Sequence, residues 1–385
     1  MRRPASAWCT ILLALSLAAC SSDSQAPQAA APTPPIQAAA VAATAATPPT
    51  AAPTAAPTIA PTAVPPTSAP TAVPPTAPPT ATPDPWAEYA PYTIEGLRAR
   101  SYGEGEIEIV DVMERAQNFT RYLIAYHSDG LRITGMMNLP KGDGPFPVVI
   151  LNHGYYPLDV YQTGNGSKLA ADYLANRGFL TLSPDFRSHA GSDNLVNFFR
   201  AGHVIDTLNL IPLAQKLPQA QPGKIGMWGH SNGGTITAKA ITVSDQIAAA
   251  VIYSPASSNI LEDYQFRVGR SRSRAPSATP RGTISRVTTE FPVTPEQAPD
   301  LYERLSPLNY LDHVSAVVQI HWGTADGTVP YKWPGDLLDG LKAASKQVEY
   351  FEYEGQPHSF QGAGNQLYLQ RIAEFFEQYL GQNGS

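Results

Sequence analysis

The 385-residue chain has only two cysteines, Cys9 and Cys20, both within its first twenty residues. Everything beyond Cys20 therefore has no thiol for a disulfide or a thiolate metal site and must hold itself together by packing alone. Charge is sparse as well, with 15% charged residues and a formal net charge of -6. A nucleic-acid surface needs a basic excess or a coherent basic face, and the sequence offers neither. The compact ligand spacing H-E-x-x-H is missing, as are G-x-G-x-x-G and the Walker pattern, so no metal and no nucleotide cofactor is expected.

What is present divides sharply along the chain. Arg2 and Arg3 precede a short apolar run, Ile11 to Ala19, well under the ~20 residues that a membrane-spanning helix needs. Leu17-Ala18-Ala19-Cys20 resembles the lipobox of bacterial lipoprotein signals. That resemblance implies removal of residues 1–19, a lipid on Cys20, and an extracytoplasmic, membrane-anchored protein. Residues 20–85 then read as a tether. Residues 21–85 carry only two charged side chains, Asp23 and Asp84, and from Ala51 onward the chain cycles through Ala-Pro-Thr. Proline fixes φ and lacks an amide donor, and nothing in the tract can build a core, so an extended spacer is expected.

From Trp86 the composition is that of a globular protein, roughly 300 residues and long enough for a sizeable core. A lead-in segment, 86–118, precedes a domain over 119–385. Ile107 to Val112 and Phe119 to Tyr126 read as strands, and Ser128-Asp129-Gly130 as a hairpin turn before Leu131 to Leu139. The wholly apolar Val148 to Leu151 reads as a buried parallel strand. Strands and helices then alternate through helices near 168–176, 204–217, 235–243, 331–344 and 366–379. This pattern predicts an α/β fold, a doubly wound, mostly parallel sheet with helices on both faces. A long insertion, about 256–312, is expected to form a small cap.

Gly229-His230-Ser231-Asn232-Gly233 is a G-x-S-x-G sequence between an apolar strand and a helix. A serine on so sharp a strand-to-helix turn needs glycine neighbours, here Gly229 and Gly233, and stands exposed where the amide of Asn232 can face a developing oxyanion. A serine hydroxyl needs a base. His358, between Pro357 and Ser359, follows a strand and precedes the last helix. Asp326 follows another strand, and the chain order Ser231, Asp326, His358 is that of α/β-hydrolases.

From about Tyr122 to Tyr379 the chain resembles the catalytic domain of the prolyl oligopeptidase family. The matching pieces are Ser128-Asp129-Gly130-Leu131, His153-Gly154, Asp185-Phe186-Arg187, the elbow, Ser306-Pro307-Leu308-Asn309-Tyr310, His321-Trp322-Gly323 with Asp326, and Pro357-His358-Ser359-Phe360. The resemblance implies an α/β-hydrolase fold, a catalytic triad of Ser231, Asp326 and His358, and a second oxyanion donor in the amide of Tyr155. That family carries a β-propeller ahead of the hydrolase domain, and residues 86–118 are too few to make one. Peptide specificity therefore does not follow from the machinery, and dienelactone hydrolase-like or broad-specificity esterases share this shape.

Other residues near these loops invite bland readings. His153 is expected to be structural, beside the oxyanion loop, and His230 to bond locally. Asp185, Arg187 and His189 are expected to organise their loop through an ion pair. Six arginines of the insertion, Arg267, Arg270, Arg272, Arg274, Arg281 and Arg286, either form a solvated run or bind an anionic substrate group. The expected function is a serine hydrolase acting on short peptides, or alternatively on esters. A non-enzymatic surface protein on a hydrolase scaffold is the remaining reading. The expected partners are a small ester or peptide substrate and a membrane reached through Cys20, with no nucleic acid and no metal.

Overall fold

The structure, a computed structural model, describes residues 84–223, 225–273 and 288–381. The signal, Cys20 and all of the tether except Asp84 and Pro85 lie outside the described residues. Nine strands among these residues are β1 (Glu108–Arg115), β2 (Phe119–Ser128), β3 (Leu131–Pro140), β4 (Val148–Asn152), β5 (Leu180–Pro184), β6 (Ile225–His230), β7 (Ile247–Tyr253), β8 (Val317–Gly323) and β9 (Val348–Tyr353). They form one sheet in the order β1-β2-β3-β5-β4-β6-β7-β8-β9. The first three strands and the β3–β5 pair are antiparallel. From β5 through β4 to β9 every pair is parallel.

Local chemistry accounts for the hairpin. Asp129 and Gly130 join β2 to β3 with φ of 52° and 76°. Positive φ at both central positions matches the right-handed twist of the flanking strands, and an Asp-Gly pair adopts it at little steric cost. In the parallel part, the strand side chains alternate between two cores. Val148, Ile150 and Met227 pack with one set of helices, and Val149, Leu151 and Trp228 with the other. The first set is α1 (Ile94–Arg98), α3 (Ala201–Gln215), α4 (Asn232–Val243) and α7 (Lys332–Ala343). The second is α2 (Lys168–Ala175) and α8 (Gly362–Leu380). Both strand faces are covered, which is why these strands read as continuous apolar runs.

Three features go beyond the sequence reading. Residues 86–118 are continuous with the domain: Ile94 and Leu97 are fully buried in the main core, and β1 is the outer strand of the same sheet. Helix α4 begins at Asn232, directly after Ser231 as the elbow requires, and its first turn includes Gly233 and Gly234, poor helix formers that close packing demands there. The insertion has a nucleus of its own. Helices α5 (Ile260–Ser273) and α6 (Pro299–Leu305) gather around Phe291, Tyr302 and Phe199, with Tyr264 against them.

Several polar side chains are buried in this frame. His321 on β8 is 0% exposed, its Nε2 to Gln319 Oε1 at 2.7 Å and its Nδ1 to the Tyr353 hydroxyl at 2.8 Å. His203 on α3 stacks on Phe186 at 4.8 Å. Burial pushes both imidazoles well below their ordinary pKa. Lys239 on α4 is 1% exposed, and burial, with help from the Arg200 charge, pushes its amine down to about 7. All three lowered values act with one sign. The unfolded chain takes up protons that the fold refuses, so stability falls as pH drops, first through Lys239 and then, below about 6.5, through the histidines. Urea denaturation at pH 8, 7, 6 and 5 should show a continuous loss, with each histidine adding up to about 1.4 kcal/mol per pH unit at the acid end. A profile that is flat or rises toward pH 5 would contradict the buried, neutral assignment.

Candidate active site

The strand order reverses between β4 and β6, which lie side by side with Asn152 paired to Gly229. Sites in open α/β sheets form outside the carboxyl ends of strands at such a switch point. Ser231 sits there as a one-residue connection, since β6 ends at His230 and α4 begins at Asn232. Its backbone has φ 57° and ψ -119°, a sparsely populated conformation for a residue with a side chain. Its amide donates to Tyr253 O at 2.9 Å, and its carbonyl accepts from the amide of Gly234 at 2.9 Å.

Two glycines make this turn sterically possible. A Cβ on Gly229 would lie 2.0 Å from Gly233 O, and one on Gly233 would lie 1.9 Å from Asn152 O. Strand β4, the elbow and the first turn of α4 are thus in backbone contact. The loop leaving β4 rests on the same point, because a Cβ at Gly154 would lie 3.4 Å from Ser231 Cβ. Tyr155, next along that loop, is exposed, whereas Asn232 is buried.

Asp326 and His358 come from the ends of β8 and β9, and the structure brings them into contact: His358 Nδ1 is 2.8 Å from Asp326 Oδ2. The other carboxylate oxygen accepts from the amides of Thr328 at 2.8 Å and Val329 at 2.9 Å. Burial acts to raise the Asp326 carboxyl, but the His358 hydrogen bond and the two amides together outweigh it and hold it below the usual carboxylate range. An ionised Asp326 takes the proton on Nδ1 as a donor and leaves Nε2 as the acceptor. Among the described hydrogen bonds none joins Ser231 Oγ to His358, and unliganded sites often have such loose geometry. The two residues are linked through His230. Its Nε2 is 2.9 Å from His358 O, and the two rings are 4.7 Å apart. Burial and the neighbouring His358 push His230 down to about 4, so it is neutral and serves as a local donor.

The remaining candidates take structural places. His153 is 2% exposed and stacks on Tyr161 at 4.4 Å, with Nδ1 2.7 Å from Gly154 O. Burial pushes it down to about 3. Asp185 accepts from Thr134 at 2.7 Å, Thr163 at 2.7 Å and Tyr161 at 2.9 Å. The expected pairing of Asp185 with Arg187 does not occur. Arg187 instead meets Asp206 on α3, with Nη2 to Oδ1 at 2.7 Å, and both side chains are buried. Asp206 also accepts from Arg187 N and from Ser128 Oγ. It was missed in the sequence, where the available signal was Asp206 as the one charged residue in the largely apolar stretch Val204 to Ile211. Arg267 is not a spare cation, because it bonds Asp263 at 2.7 and 3.0 Å. The side chains of the other five insertion arginines lie outside the described residues.

Comparison with known proteins adds a family and a fold. A family model described as Prolyl oligopeptidase family matches residues 167–383. The chain is 24% identical over 264 residues to the "Uncharacterized peptidase YtmA" of Bacillus subtilis, covering 68% of this chain and 95% of that protein. It is 27% identical over 172 residues to Esterase FrsA of Shigella boydii, covering 44% of this chain and 38% of the esterase. Among solved structures, Pyrococcus horikoshii acylaminoacyl peptidase superposes with a TM-score of 0.56 at 22% identity, covering 70% of this chain. The match spans only 44% of that peptidase, and the similarity shows the shared fold.

The backbone contact at the elbow is open to test. Gly233→Ala forces a methyl group into Asn152 O, and overpacking of this kind costs about 1–3 kcal/mol or more. Thermal denaturation should show a lowered Tm, and serine labelling by a fluorophosphonate should fall sharply. A Gly233→Ala protein with unchanged Tm and labelling would mean that the turn is not so packed.

Proposed function

We propose that this chain, which belongs to the prolyl oligopeptidase family, is a serine peptidase that cleaves short peptides through an acyl-enzyme. The observation that carries the reading is a strained Ser231 turn at the carboxyl end of β6, in the sheet whose β8 and β9 are followed by an imidazole held by a carboxylate. In this mechanism Ser231 Oγ attacks the substrate carbonyl while His358 Nε2 takes its proton. Asp326 fixes the tautomer and stabilises the imidazolium. The carbonyl oxygen becomes an oxyanion facing the amides of Asn232 and Tyr155. Collapse of this intermediate breaks the bond to the leaving group, which takes the proton from His358. Water, deprotonated by the same imidazole, then attacks the acyl-serine and releases the acid, restoring the Ser231 hydroxyl.

The family match and the peptidase relative support peptide bonds. A carboxylesterase is the second reading, supported by the likeness to Esterase FrsA. Esters and amides pass through similar tetrahedral intermediates, so the triad serves both. The two readings separate in kcat/KM for a panel of short peptide amides against esters of the same acyl groups. A peptidase should cleave some amide within ~10²–10³ of its matched ester, with a preference at the residue before the cut, and Ser231→Ala should remove both activities. Ester turnover that depends on Ser231, with no amide cleaved, would leave the esterase reading.

The address of the enzyme belongs to the same proposal. The lipobox-like Leu17 to Cys20 supports a lipid anchor, and the Ala/Pro/Thr tract supports a spacer that holds the hydrolase clear of an extracytoplasmic membrane surface. Expressed in a bacterium, the full chain should sediment with membranes, and Cys20→Ser should shift it to the soluble fraction. Unchanged membrane association in Cys20→Ser would contradict the anchor.

A further inference from the structure

Resting on the hydrolase reading above, we infer that Arg200 is a positioning residue for the oxyanion site, holding Asn232 in place and tying it to the carboxylates of the insertion. Asn232 is the first helical residue after the nucleophile and is 5% exposed. Its side-chain carbonyl accepts a hydrogen bond from Arg200 Nη2. The same guanidinium faces two carboxylates of the insertion, with Nε 3.6 Å from Asp263 Oδ2 and Nη1 3.6 Å from Glu290 Oε2. All four residues are buried. The cation therefore sits between the elbow and the insertion, hydrogen-bonded to the first and ion-paired with the second.

The backbone at this point is shaped for the task. Phe199 and Arg200 are consecutive non-glycine residues with positive φ, 47° and 59°. Such conformations cost free energy and persist only where the surroundings over-determine them. Phe199 supplies one restraint, its ring fully buried in the aromatic nucleus with Tyr89 at 5.3 Å and Phe291 at 6.0 Å. With Phe199 turned into that nucleus, Arg200 reaches the elbow from the start of α3. Hydrogen bonds with an ionised donor are stronger than neutral ones, so this one restrains the Asn232 side chain. An oxyanion donor acts by being pre-aimed, and freedom at Asn232 loosens the aim of its amide in the transition state.

The chemistry of the bond dictates the variants. Asn232→Ala keeps the main-chain amide and removes only the acceptor of the Arg200 bond. Arg200→Met removes the donor, while Asp263 keeps its bidentate partner Arg267. Arg200→Lys retains the charge. On a short-chain p-nitrophenyl ester, Asn232→Ala and Arg200→Met should each lower kcat by ~10–100-fold with KM changed by less than about three-fold. The double variant should be no worse than about three-fold below the poorer single, because both remove one interaction. Arg200→Lys should recover part of kcat. If Arg200→Met does not fold, Asn232→Ala decides the matter alone. A folded Asn232→Ala with kcat within about two-fold of wild type, or multiplicative losses in the double variant, would overturn the positioning role. If Ser231→Ala turns over the ester as fast as the wild type, the hydrolase reading itself fails and this inference fails with it.

Discussion

The close approach of three backbones at the end of β6 is the constraint on which the rest of the site depends. Gly233 meets Asn152 O and Gly229 meets Gly233 O, each with no room for a methyl group. That contact lets α4 start one residue after Ser231 and forces the serine into φ 57°. A strained turn of this sort needs support from elsewhere in the fold. The parallel strands provide it, because β4, β6 and β7 are buried along nearly their whole length and register the loops that leave them. The Tyr253 carbonyl at the end of β7 takes the Ser231 amide, and the His321 carbonyl at the end of β8 takes the Ser254 amide. The strand ends are stitched together just where the candidate residues emerge.

Electrostatics follows from the same geometry. Buried charges are costly unless paired, and two arginines near the site meet buried carboxylates. Arg187 with Asp206 pins the loop after β5 to α3, and Arg267 with Asp263 anchors α5. These pairs are separate from Asp326 and His358, whose pairing leaves one imidazole nitrogen for a proton transfer. His153 and His230, both beside the elbow, are held neutral by burial and cannot compete as charged groups near neutral pH. One imidazole out of this cluster, His358, is thus set apart by its carboxylate partner.

Much of this was legible in the sequence because it rests on local rules. Val148 to Leu151 announced a strand buried on both faces, Asp129-Gly130 a two-residue turn, and Gly229 to Gly233 a turn that only glycines permit. Long-range pairing was less visible. Asp185 and Arg187, two residues apart, invited a pairing that the loop after β5 does not make, and the partner of Arg187 lay 19 residues on in α3. Within residues 86–118 the run Ile107 to Val112 read as a strand, but nothing marked it as the outer strand of the same sheet, since β1 is exposed along nearly its whole length. Arg200 was invisible for a different reason. Its importance comes from a left-handed backbone and from partners on α4, α5 and Glu290, none of which a linear pattern encodes.

The central claim is that one serine among the many in this chain is activated by one histidine. Covalent labelling of the wild-type protein with a fluorophosphonate, followed by digestion and mass spectrometry of the peptides, tests it directly. The account predicts a single stoichiometric adduct on Ser231, absent when His358 is replaced by alanine. An adduct on another serine, or labelling of Ser231 that survives the loss of His358, would contradict it.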